Sequence, residues 1–206
     1  TVKVNEDGTV NVLSGATDNG SGAVTMGIRQ IVADRLGLNP NDVLVGLPDT
    51  DVSGYDSGSQ GSRTTHIVGR AALDAATEVR RQLMKIAAEM IEADPDDLEM
   101  VDGRIRVAGS PDSSVAIADV AARATWTVGP VAASSSYTTP PVEFDPGCAS
   151  GLLFGAMATP TYHLHLAVVE VDPVTGNVKV LRYVVVQEVG AVINPVGVRG
   201  QIQGGV

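Results

Sequence analysis

Seven apolar residues, Val68, Ala72, Ala75, Val79, Leu83, Ile86 and Met90, recur every three or four positions between residues 63 and 92. That is the spacing of one face of an α-helix. A stripe of that length has to be covered along the whole helix, and the ordinary cover is a sheet. The chain is therefore committed to a sheet-and-helix core, and the stripe is core rather than a cofactor contact. Asp94-Pro95 ends the helix, because the residue before a proline is pushed out of the helical region.

The residues that enter this helix carry the first functional signal. Residues 57–62, Ser-Gly-Ser-Gln-Gly-Ser, are small and let backbone N–H groups approach a ligand. A helix opening at Arg63 or Thr64 adds its own unpaired N–H groups and the positive end of its dipole. Together they suit an anion, phosphate above all. The plainer reading is that Ser62 N-caps the helix and the loop is a surface connection, and the residues alone leave both open.

A second glycine loop, residues 17–22 (Thr-Asp-Asn-Gly-Ser-Gly), leads into a helix over 23–36 with Val24, Ile28, Ile31, Val32 and Leu36 at helical spacing and Gly37 as its C-cap. Its plainer reading is an Asp/Asn turn with capping. A third junction follows Asn194-Pro195, where a helix begins near Val196 and Gln201 falls in its first two turns. Three sheet-to-helix junctions with polar groups point to a pocket.

Strand signals supply the sheet. Residues 2–16 read as a hairpin turning at Glu6-Asp7-Gly8, Val43 to Val45 as a short buried strand, and 98–107 as a hairpin around Asp102-Gly103. Ser113 or Ser114 is expected to cap a short helix through Ala124, and 125–139 reads as a strand interrupted at Thr139-Pro140-Pro141. Residues 161–186 form a long hairpin with its turn at 172–177. His163 and His165 lie two apart on one strand face, without a third ligand, which reads as a solvated or interface face rather than a metal site. Residues 145–160 hold Gly147, Gly151 and Gly155 without periodicity. The fold class is α+β: a mixed sheet with long hairpins packed against two main helices, with 97–139 set apart as a candidate sub-lobe.

A net charge of −10 argues against nucleic acid, which demands clustered Lys and Arg. The one cysteine, Cys148, forms no internal disulfide and points to a reducing, cytoplasmic setting. No run of about 18 apolar residues suggests a membrane span, and 3% aromatics are too few for a stacking platform. The sequence starts within a strand pattern and stops within an opening element, so it reads as part of a longer polypeptide, cut at both ends.

Three motifs carry a resemblance. Gly61-Ser62-Arg63-Thr64-Thr65, the strand and turn from Val169 through Asp172-Pro173, Thr175-Gly176 to Val178, and Val189-Gly190 through Ile193-Asn194-Pro195 to Gly200-Gln201-Ile202 and Gly204-Gly205 resemble the molybdenum-cofactor-binding large subunit of the xanthine dehydrogenase and aldehyde oxidase family. The order and spacing hold across nearly the whole chain, as the C-terminal part of that subunit. The resemblance implies a molybdopterin-binding domain for a cofactor that carries molybdenum and occurs in bacteria often as the cytosine dinucleotide. It also implies hydroxylation of an aldehyde or N-heterocycle carbon with oxygen from water, and electrons passing to iron–sulfur clusters and often FAD in other domains or subunits. The partners implied are the rest of the large subunit, an iron–sulfur subunit and a flavin subunit, with a small aldehyde or N-heterocycle as substrate. Carried over residue by residue, Gln60, Gly61, Ser62, Arg63 and Thr64 hold the pterin and its phosphate, Gly20, Ser21 and Gly22 form a second contact, and Gln201 matches a glutamine that touches the cofactor. No side chain here ligates the metal, whose redox chemistry belongs to the cofactor.

Two departures stand out. The family usually has Gly-Gln-Gly where this chain has Gly20-Ser21-Gly22, so that contact is shortened or lost. The family's catalytic glutamate belongs to a Gly-x-Gly-Glu motif absent from these 206 residues, so no catalytic residue is assigned and the chain is not expected to react alone. Glu143 and Glu188 lie in no matching motif and do not replace it. The competing expectation is a non-catalytic, diverged domain that keeps the fold for subunit assembly.

Overall fold

A computed structural model describes residues 1–140 and 161–206; Glu143, Gly147, Cys148, Gly151 and Gly155 lie outside the described residues. The chain forms two compact units, Thr1–Thr138 and Thr139–Val206. The α+β class is confirmed by mixed and antiparallel sheets with helices.

In the first unit, β1 (Val2–Val4) pairs antiparallel with β2 (Val10–Val12), as the hairpin pattern predicts, though each strand is only three residues long. Strand β2 then pairs in parallel with β3 (Val43–Val45), Val10 against Val43 and Val12 against Val45. Parallel neighbours need a crossover, and helix α1 (Arg29–Leu36) supplies it. The sheet is closed on its other edge by β7 (Ala132–Ala133), giving the order β3-β2-β1-β7. Val2, Val4, Val10, Val12 and Val43 are buried, so the valines of a period-2 pattern become one wall of the core.

Helix α2 (Arg63–Ile91) covers that wall. Its stripe is buried as the spacing predicts at Ala72, Ala75, Val79, Leu83 and Ile86, with Val68 and Met90 partly buried at the margins. The helix ends at Glu92, which adopts a left-handed conformation with φ 53°. Asp94 lies beyond that end and caps the next short turn, its side chain accepting from the Asp96 N–H. Helix α1 ends as expected at Gly37, with φ 59°. There a Cβ would collide with the Met100 carbonyl, and the Gly37 oxygen accepts from the Gly103 N–H at 2.9 Å. This joins α1 to the second sheet, β4 (Leu98–Val101), β5 (Arg104–Val107) and β6 (Ser110–Ala116), in that order.

Three expectations are corrected. Ser113 and Ser114 lie in β6, where Arg104 donates to the Ser114 hydroxyl at 3.1 Å; the helix starts later, as α3 (Ile117–Thr127), with Ala116 as a cap that makes no side-chain bond. Residues 125–139 are not a strand. Ile117, Val120, Ala121 and Ala124 are buried at helical spacing and carry the helix through Thr127, and the hydroxyls of Thr125 and Thr127 bond back to the carbonyls of Ala121 and Arg123. Gly129, with φ 102°, follows the helix, and only Ala132–Ala133 is extended as a strand. The third correction concerns 23–36, whose first part, Ala23–Ile28, is a π-helix: Gly27 N–H reaches the Gly22 carbonyl at 3.0 Å.

In the second unit, β8 (His163–Val171) and β9 (Val178–Gln187) form the expected hairpin, with a bulge between Val168 and Val169. Asp172 builds its turn, accepting from Val174 N–H at 2.8 Å and the Thr175 hydroxyl at 2.8 Å. Helix α4 (Pro195–Gly204) follows, with proline at its first position and Asn194 accepting from the Gly197 N–H at 2.7 Å.

Candidate functional site

The polarity of the first unit decides where its two glycine junctions lie. Helix α1 links parallel strands, so it runs back along them and its N-terminal end stands at the strands' carboxyl ends. Helix α2 runs in the same direction as α1. A Cβ on Gly69 would stand 2.9 Å from Ile31 Cδ1, and further along both helices Arg35 Nε donates to the Thr77 hydroxyl at 2.9 Å and Arg80 reaches the Arg35 carbonyl at 3.4 Å. Counting back from the Ile31–Gly69 crossing places residues 20–22 and 60–64 at the same edge, beyond the carboxyl ends of β2 and β3. That edge is where open sheets with crossover helices bind ligands.

Residues 60–64 form a cradle of backbone donors. Gly61 and Ser62 are both left-handed, with φ 56° and 57°. Ser62 makes no side-chain cap, so the capping reading of that residue is set aside. The N–H groups of Gly61 and Ser62 donate to no group among the described residues, and helix geometry leaves the first-turn N–H groups without intrahelical partners. Gln60, Gly61 and Ser62 are exposed, whereas Thr64 is buried and donates through its hydroxyl to Ser59 Oγ at 2.9 Å. Arg63 braces the loop from behind: its guanidinium donates to the Gly58 carbonyl at 3.0 Å and lies 3.6 Å from the Asp56 carboxylate. The loop is also seated from below, because a Cβ on Gly15 would collide with the Gly54 carbonyl oxygen.

Residues 20–22 differ. Asp18 accepts from the N–H groups of Gly20, Gly22 and Thr25 at 2.9, 3.1 and 3.0 Å and from the Thr25 hydroxyl at 2.7 Å. Partial burial pushes this carboxyl up, but the four hydrogen bonds outweigh it and hold the pKa down to about 2. The turn is thus of the Asp-capped kind, and its own carboxylate already satisfies those donors. Ser21 is exposed, its hydroxyl 3.4 Å from the Ala23 N–H. Beyond this turn, Arg29 presents a different problem: its Nε is buried without an acceptor among the described residues. Sequence reasoning passed over Arg29, although its place on the face of Val32, Ala33 and Leu36 was a signal, since an arginine there interrupts an apolar pattern.

Gln201 lies in the second unit, exposed in α4. Glu188 is held by its own turn, accepting from the Gly190 N–H. His163 and His165 stack with centroids 6.3 Å apart, and His165 Nδ1 lies 3.1 Å from the Tyr183 hydroxyl. No group of three or more metal-ligating side chains exists among the described residues. No helix among them is long and apolar enough to cross a membrane. An open groove of about 380 Å³ lined by Lys85, Ala88, Glu89, Glu92, Ala93 and Pro95 lies at the far end of α2, away from the donor cradle.

The family model described as "Molybdopterin cofactor-binding domain" matches residues 1–206. The chain is 36% identical over 208 residues to the nicotine 6-hydroxylase large subunit of Paenarthrobacter nicotinovorans, covering 100% of this chain and 24% of that protein. It is 30% identical to the carbon monoxide dehydrogenase large chain of Hydrogenophaga pseudoflava, covering 99% and 24%. Among solved structures, a Cu,Mo-CO dehydrogenase aligns with a TM-score of 0.83 at 26% identity, over 99% of this chain and 24% of that one. Quinoline 2-oxidoreductase from Pseudomonas putida 86 aligns with a TM-score of 0.78 at 26% identity, over 99% and 25%. The chain thus spans about a quarter of the length of the relatives it matches.

Proposed function

The chain belongs to the molybdopterin cofactor-binding domain family, and from that membership we propose that it forms a cofactor-holding part of a molybdenum hydroxylase. The observation that carries the reading is the pair of left-handed residues Gly61 and Ser62 at the start of α2, whose N–H groups have no acceptor among the described residues. Free backbone donors at the positive end of a 29-residue helix fit a phosphate-bearing pterin.

In this reading Gly61 and Ser62 donate to the phosphate, and Arg63 keeps their loop in place through Gly58 and Asp56 rather than touching the ligand. Thr64 is buried with its hydroxyl committed to Ser59, so it shapes the cradle from within. Gln60, exposed beside them, and Gln201, exposed in the second unit, offer amides that both donate and accept. Gly20, Ser21 and Gly22 present a pre-formed turn whose shape Asp18 fixes. When bound, the cofactor supplies two-electron oxidation at a substrate carbon, an aldehyde or N-heterocycle, with oxygen from water. The protein here supplies binding, orientation and electrostatics. Electrons leave through iron–sulfur and flavin groups in partner subunits, the cofactor is the cytosine dinucleotide form, and the setting is cytoplasmic.

Ser21 favours a second reading. A serine that bonds within its own turn cannot make the longer reach of a glutamine amide, as a diverged assembly domain would tolerate. Substituting the cradle separates the two. Gly61→Val puts a β-branched side chain where φ is 56° and fills the space above the donors. We expect the purified variant to lose most of its pterin while remaining folded by circular dichroism. A wild-type protein without pterin supports the assembly reading instead.

A further inference from the structure

Buried donors without acceptors are rare in folded proteins, and each calls for a reason. Arg29 Nε is such a donor. No hydrogen bond or ion pair joins its side chain to any described residue. Asp18, the acid of the preceding turn, is engaged by Gly20, Gly22 and Thr25. Packing does not explain the residue either. Arg29 shares a helix face with Val32, Ala33 and Leu36, which are 0%, 1% and 0% exposed, and a leucine or methionine would suit that face without stranding a donor.

Its position does offer a reason. Arg29 opens α1 directly after the π-helical turn Ala23–Ile28, and such turns are frequent at functional sites. Helical side chains lean toward the N-terminal end, here the edge that carries residues 20–22 and the Gly61–Ser62 donors. Six residues of helix lie between Gly22 and Arg29, at most about 10 Å along the axis, within a long side chain's approach to that edge.

We propose that Arg29 is a cofactor-binding residue whose guanidinium donates to an anionic oxygen of the bound phosphate-bearing pterin. This rests on the reading of that edge as the cofactor site. The acceptor missing among the described residues is then supplied by the ligand, and the unsatisfied donor is a cost that the cofactor-free protein carries.

The test sets stability against retention in Arg29→Met and Arg29→Lys, made in the protein as its host produces it. Arg29→Met removes the orphan donor, so cofactor-free variant protein should melt at the same temperature as cofactor-free wild type or higher. Molybdenum and pterin per chain should fall by about tenfold, the order expected for one lost charge-assisted hydrogen bond. Arg29→Lys, which keeps a charge but not the fork, should fall between the two. Unchanged retention in Arg29→Met overturns the proposal. A lower melting temperature of the cofactor-free variant also overturns it, since Arg29 would then be satisfied within the protein. Wild-type protein lacking molybdenum and pterin would instead overturn the cofactor site itself, a distinct result.

Discussion

Arg35 Nε donates to the Thr77 hydroxyl at 2.9 Å, and that hydroxyl donates in turn to the Leu73 carbonyl at 2.7 Å. With Ile31 against Gly69 one turn earlier on α1, the bond fixes α1 and α2 as parallel neighbours. Parallel helices bring their N-terminal ends to one edge, so two glycine junctions about forty residues apart in sequence share it. The shared edge is a consequence of this pairing, not of either loop alone.

The seat of the 49–62 loop is testable at Gly15. A methyl group there meets the Gly54 carbonyl oxygen, which is backbone and cannot rotate away. Gly15→Ala should displace the loop at a cost of about 1–3 kcal/mol and lower pterin content. Denaturant unfolding and pterin fluorescence on the same preparation check both effects.

Asp18 gives a pH dependence. Its folded pKa, about 2, lies below the unfolded value, so its contribution to stability is complete above the unfolded pKa of about 3.9 and is lost as pH falls toward 2. Asp18→Asn should cost about 1 kcal/mol at neutral pH, in the range of helix-cap substitutions. The gap between variant and wild type should close between about pH 4 and pH 2, measured by urea unfolding across that range. A gap that persists at the acid end would contradict the four-bond account.

Leu83 is fully buried at the centre of the α2 stripe. Leu83→Ala should destabilise by about 2–5 kcal/mol, the range for a large cavity in a packed core. Chemical denaturation of the cofactor-free protein reads it directly.

Much of this was legible in sequence. The α2 stripe, the Asp102-Gly103 hairpin, with φ 50° and 74° at its turn, and the 161–186 ribbon carry periodicities that tertiary structure did not override. The failures share a cause. The β-branched residues after Ala124 suggested a strand, yet the buried face of Ile117, Val120, Ala121 and Ala124 extended a helix through them, because packing outweighs propensity. Ser62 looked like a cap and is instead left-handed with its hydroxyl unused in capping. The parallel run of α1 and α2 depends on contacts such as Arg35 with Thr77, forty-two residues apart, and no local pattern encodes them. Arg29 was marked only by its place on the apolar face of α1; that its Nε lacks an acceptor among the described residues is visible in the structure alone.

The central claim is that this fold holds a molybdenum-bearing pterin, and the most direct measurement is of both components together. Metal mass spectrometry and fluorescence of the oxidised pterin should be run on protein purified from its natural host. The account predicts near-stoichiometric molybdenum and pterin per chain. Folded protein from cells competent in cofactor synthesis that contains neither would contradict it.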